Sequence, residues 1–249
     1  FRLLLACLLL SPASAAQEPE LIKDINQVTH IYSSNPEGHV RSFPEMGGWL
    51  YCAARIQEIG TELFRFNEKT GSHELVKDVW PGRYESFPAQ FCVVGSLLFF
   101  SARDKQHGRE LWVTDGTSAG TRLVKDIYPG SGDGISDSTS CQESRDFCAM
   151  GGRLYFQARD TSFNGLWCSD GTTQGTQPVL TGTYGTTPSD ATYLTVMGGK
   201  LYFQAHTSKL GGELYVSDGT AQGTKLLKDI YPGSSSSDPK CFEDSDQNL

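Results

Sequence analysis

Short apolar runs broken by glycine turns set the pattern of this chain. "MGGKLYFQA" from Met197, "ELYVSDGT" from Glu213 and "KLLKDIYPG" from Lys225 follow in order near the end. The first phrase has earlier versions in "MGGWLYCAA" at Met46, "VGSLLFFSA" at Val94 and "MGGRLYFQA" at Met150. The second returns as "ELFRFNEKTGS" at Glu62, "ELWVTDGTSAGT" at Glu110 and "LWCSDGTTQGT" at Leu166. Within the runs, apolar residues fall on both parities. Leu201 and Phe203 share one side of a strand and Tyr202 takes the other; Leu111 and Val113 oppose Trp112. Successive strand side chains point to opposite faces, so these strands are apolar front and back. No long stretch carries the 3.6-residue period of an amphipathic helix.

One unit therefore predicts four strands, written here for the last repeat. Strand a covers Tyr193–Met197, b Lys200–Ala205, c Glu213–Ser217 and d Lys225–Ile230. Gly198 and Gly199 provide the positive φ angles of a tight a–b hairpin. In the c–d turn Asp218 is expected to accept a backbone hydrogen bond while Gly219 and Gly223 relieve steric strain. Asp115–Gly116 and Asp170–Gly171 hold the same places two and one repeats earlier. Tyr231-Pro232-Gly233 ends the pairing, because proline offers no ladder donor.

Leu63, Leu111, Leu166 and Leu214 mark the period, at intervals of 48, 55 and 48 residues. A sheet apolar on both faces must be covered twice, since each large side chain left in water forfeits roughly 1.5–3 kcal/mol. Four-stranded units covering one another describe an all-β fold, a β-propeller of four-stranded blades. A two-sheet sandwich is the rival, but it does not require the same quartet four times. The predicted blades span about 39–82, 87–130, 146–182 and 191–233. "LIKDI" at Leu21–Ile25 copies strand d without strands a to c before it, so residues 21–26 read as a closing strand. Residues 234–249 read as the start of a truncated blade, and the opening on Phe1 instead of Met also points to a fragment, an incomplete ring of about four blades.

Composition narrows the setting. The net charge of -8 and pI near 5.1 argue against broad attraction to nucleic acid. Residues 1–16, with Arg2, an apolar run to Leu10 and the small residues of "ASAA", read as a secretory signal peptide cleaved near Ala15 or Ala16. That run is too short to span a bilayer, so no transmembrane segment is expected. "LLAC" at Leu4–Cys7 faintly suggests lipid attachment, but the apolar run continues past Cys7. Six cysteines remain after Cys7, an even count that suits disulfides in an exported protein. Cys141 and Cys148, which flank an insertion in the long interval, are the expected pair.

Motifs for chemistry are thin. "GTSAG" at Gly116–Gly120 fits a nucleophile elbow, but that mechanism needs a helix after the turn, and Ser118 is exchanged for Thr173 and Ala221 in the equivalent turns. The recurrent Asp115, Asp170 and Asp218 suit turn capping better than calcium, for which one carboxylate per turn is little. No metal or other cofactor is therefore expected. Strand b tends to end in a base (Arg55, Arg103, Arg159, His206), and cross-strand pairs with Glu62 and Glu110 are expected for the first two. Arg159 lacks such a glutamate, since Gly165 stands there. Lys125–Asp126 and Lys228–Asp229 are expected to decorate an outer blade edge against aggregation.

"ELWVTDGTSAGT" and its relatives resemble the ELWxxDGTxxGT repeat of secreted and surface proteins, some of them described as hyalin-like. The likeness runs from about Leu21 to Gly233, with departures at Asn67, which replaces the usual Asp, and in the third copy, which lacks the Glu before Leu166 and the Lys-Asp after Leu180. The resemblance implies a secreted β-propeller and no catalytic residue. Loops b–c and d–a share one rim and vary most between repeats, so this rim is the expected binding face. Asp104, Arg159, Asp160 and His206 are its candidate ligand-binding residues, and an extracellular protein or glycan the expected partner. The alternatives are a glycosidase- or lyase-type enzyme, which needs two carboxylates about 5–10 Å apart, and a structural matrix role. Asp104 and Asp160 come nearest to such a pair.

Overall fold

A computed structural model describes residues 43–136 and 147–239. Its regular elements among these residues are sixteen strands in four antiparallel sheets, each with its strands in chain order. The first sheet holds β1 (Glu45–Met46), β2 (Trp49–Ile56), β3 (Gly60–Phe66) and β4 (His73–Lys77). The second holds β5 (Ala89–Val94), β6 (Leu97–Asp104), β7 (Gly108–Thr114) and β8 (Arg122–Lys125). The third holds β9 (Phe147–Met150), β10 (Arg153–Arg159), β11 (Asn164–Ser169) and β12 (Gln177–Pro178). The fourth holds β13 (Ser189–Met197), β14 (Lys200–Thr207), β15 (Gly211–Ser217) and β16 (Lys225–Lys228). This is a partial β-propeller, with each repeat forming one blade.

The two apolar parities have separate destinations. Tyr51, Leu63, Val76 and Val79 of the first blade meet Leu98, Phe100, Ala102 and Trp112 of the second. Phe99, Leu111, Val124 and Ile127, on the opposite side of the second blade, meet Leu154, Phe156, Ala158 and Trp167 of the third. Tyr155, Leu166 and Val179 then meet Leu201, Phe203, Ala205 and Tyr215 of the fourth. Each seam is a packed core between sheets, which is why strands with no polar face are stable here.

Local rules set the hairpins. Gly47 and Gly48 have φ of 62° and 77°, and Gly198 and Gly199 have 55° and 72°, the geometry of a primed two-residue turn. The pairing of strand d slips by one residue beside Leu63, Leu111 and Leu214, a bulge repeated in three blades. Strand d stops at Lys228 in the fourth blade, two residues short of the expected Ile230. In the third it shrinks to Gln177–Pro178, where proline removes a ladder donor.

The glutamate two residues into strand c has a role different from the expected ion pair. Glu62, Glu110 and Glu213 are buried, and arginine does not face them: Ala54 pairs with Glu62 in the ladder, and Ala102 with Glu110. Arg55 instead pairs with Glu85 at 3.1 Å, and Arg103 lies 3.8 Å from Asp133. Each glutamate gathers donors from the chain as it leaves strand d. Glu62 accepts from Val79 N at 2.7 Å, Ser86 N at 3.1 Å and Ser86 Oγ at 2.7 Å. Glu213 repeats the set with Ile230 N, Ser237 N and Ser237 Oγ at 2.8, 3.2 and 2.7 Å. Glu110 accepts from Tyr128 N at 2.9 Å and Gly134 N at 3.1 Å. The carboxylate thus fixes the exit of strand d to strand c and aims the chain along the rim.

One strand d lysine also departs from expectation, while Lys228 is exposed. Lys125 Nζ donates to the Thr176 carbonyl of the next blade at 2.8 Å and lies 5.5 Å from the centre of the Trp167 ring. Arg122 likewise reaches the Gly171 carbonyl at 2.8 Å. Lys125 thus joins neighbouring blades instead of decorating an edge, and Arg122 adds a second such link. Cys141 lies outside the described residues, as do the expected signal peptide and closing strand; no two described cysteines form a disulfide.

Candidate functional site: the loop rim

The two rims of the array differ in kind. On the turn rim the repeated phrase is accounted for atom by atom. Asp115 Oδ1 accepts from Thr117 N at 2.9 Å and Thr117 Oγ1 at 2.7 Å, and Thr117 Oγ1 accepts from Gly120 N at 2.9 Å. Thr121 Oγ1 donates to the Thr117 carbonyl at 2.6 Å, and Thr114 Oγ1 accepts from Gly116 N at 2.9 Å. Asp170 with Thr172 and Asp218 with Thr220 repeat the set. Hydrogen bonds from these threonines hold all three aspartates below the ordinary carboxylate range. Gly116, Gly171 and Gly219 have φ near 90°, which a Cβ disfavours. Ser118 sits in this turn and not on a strand-to-helix elbow.

On the loop rim the carboxylate anchors recur, while the side chains around them differ between blades. Asp104 closes the b–c loop of the second blade: Oδ1 accepts from Gln106 N and His107 N, and Oδ2 lies 2.7 Å from His107 Nδ1. Asp160 closes the third by accepting Ser162 N, Ser162 Oγ and Phe163 N at 2.7, 2.7 and 2.8 Å. Burial raises its carboxyl, but these hydrogen bonds outweigh that and leave it below the ordinary value. Arg159 Nε donates to the Asp133 carbonyl at 2.9 Å, and its guanidinium lies 5.3 Å from the centre of the Tyr128 ring. His206 is half-buried in β14, and its carbonyl accepts from Ser189 Oγ at 3.3 Å.

The structure therefore joins the rim at a residue that sequence reasoning did not single out. Asp133, in the loop leaving the second blade, accepts from Arg109 N at 2.7 Å, lies within 3.8 Å of Arg103 and offers its carbonyl to Arg159. Arg159 belongs to this junction, whereas Asp104 and Asp160 each serve their own loop. A parallel network links the third and fourth blades: Gln157 donates to Asn164, and Asn164 Nδ2 donates to Asp190. Among the described residues, no group of three or more His, Cys, Asp or Glu side chains is placed to hold a metal. No described helix is long and apolar enough to cross a membrane.

The rim also carries exposed aromatic rings. Tyr84 is 60% exposed and stacks on Trp80, with ring centres 5.3 Å apart and 18° between planes. Tyr184, in the loop before β13, is 67% exposed.

No known family model matches the chain, and no curated protein does. Solved structures with similar coordinates include a putative TolB from Agrobacterium tumefaciens, at 14% identity and a TM-score of 0.44, covering 76% of this chain and 66% of that one. An acylaminoacyl peptidase from Pyrococcus horikoshii has 14% identity and a TM-score of 0.39, and this chain spans 27% of its length. An α-L-arabinofuranosidase from Clostridium thermocellum has 14% identity and a TM-score of 0.34, with 78% of this chain and 71% of that one covered.

Proposed function

We propose that this chain is a secreted or cell-surface β-propeller that binds an extracellular protein or glycan through its loop rim, in the manner implied by its ELWxxDGTxxGT repeats. The contrast between the rims carries the reading. The turn rim repeats one hydrogen-bond set in the second, third and fourth blades, as a scaffold requires, and Asn67 replaces the aspartate in the first. The loop rim keeps recurrent carboxylate anchors at Glu62, Glu213, Asp104 and Asp160, but its other side chains differ from blade to blade and include exposed tyrosines, which give binding surfaces large contact area at low entropic cost. The carboxylates of Asp104 and Asp160 are engaged by their own loops, which favours binding over hydrolysis.

Surface capture tests this. The full chain, displayed multivalently, is expected to bind extracellular-matrix preparations. Tyr84→Ala combined with Tyr184→Ala on the loop rim should weaken that binding, and Thr117→Ala on the turn rim should leave it intact. Equal loss from both rims, or turnover of glycosidase substrates abolished by Asp104→Ala, overturns the proposal.

A further inference from the structure

Among the described residues, the Trp80–Tyr84 stack is peculiar to the first blade. The loop from strand d to the next blade has the same backbone course in three blades, fixed where a b–c glycine packs against it. Gly60 packs on the Tyr84 carbonyl, Gly108 on the Gly132 carbonyl and Gly211 on the Ser235 backbone. Where the first blade has tyrosine, the others thus have glycine and serine, so the scaffold itself needs no ring at this point. The equivalents of Trp80 also differ in setting: Tyr128 is covered by the Arg159 guanidinium and Tyr231 is exposed, whereas Trp80 supports a second ring that is itself open to solvent.

Polar groups flank this platform. Glu85, the next residue, pairs with Arg55 at 3.1 Å and accepts from Thr61 Oγ1 at 3.2 Å; Arg83, the preceding residue, is exposed. An exposed aromatic face with an arginine and a glutamate on either side of it in the chain matches one chemistry well. A pyranose ring has an apolar C–H face for stacking and an equatorial rim of adjacent hydroxyls that such groups bind in pairs. A peptide side chain lacks that combination of a broad apolar face and a hydroxyl edge. The two rings are already stacked without a ligand, and a preformed face lowers the entropic cost of using it.

We propose that Trp80 and Tyr84 form a carbohydrate-binding platform, on which a pyranose residue of a glycan stacks against Tyr84 with its hydroxyls toward Arg55, Arg83 and Glu85. The proposal rests on the loop-rim binding reading and names its ligand class. The test is an array of immobilised neutral and acidic oligosaccharides, probed with the full chain and with Tyr84→Ala, Tyr84→Phe and Trp80→Phe variants. The expected result is saccharide binding that falls roughly tenfold or more in Tyr84→Ala and survives in Tyr84→Phe, with unchanged thermal midpoints. Titration with a bound saccharide should shift tryptophan fluorescence in the wild type and not in Trp80→Phe. Saccharide binding untouched by Tyr84→Ala overturns this site and leaves rim binding standing. Rim-dependent binding of a polypeptide with no saccharide bound overturns the ligand class. Absence of any rim-dependent binding overturns both readings.

Discussion

Glu62, Glu110 and Glu213 hold the same position, yet their carboxyls differ. Burial pushes Glu62 up to about 7, offset in part by the Ser86 hydroxyl and by the N–H groups of Val79 and Ser86. Burial pushes Glu110 up to about 8. There Gly134 stands where Ser86 and Ser237 stand in the other blades, and Glu110 Oε2 has no hydrogen-bond partner. For Glu213 burial also acts upward, but the N–H groups of Ile230 and Tyr231 and both Ser237 donors outweigh it, so its carboxyl falls below the ordinary value. A carboxyl with a raised folded pKa keeps its proton longer in the folded chain. Its contribution is fully present below the unfolded value of 4.5 and is lost as pH rises through about 7 at Glu62 and about 8 at Glu110. Stability in urea should therefore decline between about pH 5 and 8, and Glu110→Gln should flatten that decline. Glu62→Gln should instead cost about 1–3 kcal/mol at pH 7, because both Glu62 oxygens accept hydrogen bonds and an amide NH2 would face a donor. Equal costs for the two substitutions would show that the missing hydroxyl at Gly134 does not matter.

At the scale of the elements, glycine has two different duties. Gly47 turns β1 into β2 with φ of 62°, and a Cβ there would meet nothing within 4 Å. Gly108 leads into β7 with φ of 67°, and a Cβ there would come within 2.3 Å of the Gly132 carbonyl oxygen. Gly47→Ala should cost about 1–2 kcal/mol from backbone strain alone. Gly108→Ala should cost clearly more, because the rim loop of the same blade must also move. Thermal or urea unfolding of the pair checks the ranking. The hairpins, the four-strand unit and the two apolar faces were legible in the sequence because they depend on short-range pattern: Gly-Gly, Asp-Gly-Thr and residues on both parities. The glutamate contacts were not. They join Glu62 to Ser86 across 24 residues, and nothing in a strand's own periodicity reports a partner at that distance. The recurrence of Glu and Ser at this interval in the first and last blades was the available signal. The loop rim was legible as a location through its variability. Its chemistry was not, since Asp104 and Asp160 look free until the loops that they close are seen.

For the whole molecule, stability is set by stacking between blades more than within them. A four-stranded sheet with two apolar faces contributes little alone, so each blade depends on its neighbours, as in other repeat arrays. The repeat provides a controlled comparison, because Ile127 and Ile230 occupy the same place two residues past strand d in the second and fourth blades. Ile127 is 3% exposed, pressed against the third blade, while Ile230 is 48% exposed. The residue type and local sequence "KDIYPG" are identical, so only the covering sheet differs. Ile127→Ala should cost about 2–5 kcal/mol, the range for emptying a buried apolar site. Ile230→Ala should cost about 1 kcal/mol or less, since half of that side chain already faces water. Urea unfolding of the two variants measures the difference, and hydrogen exchange should place β16 opening before β8. Similar costs at both positions would mean that Ile230 is covered in solution by another sheet, and the excess over 1 kcal/mol would measure how strongly that sheet is held.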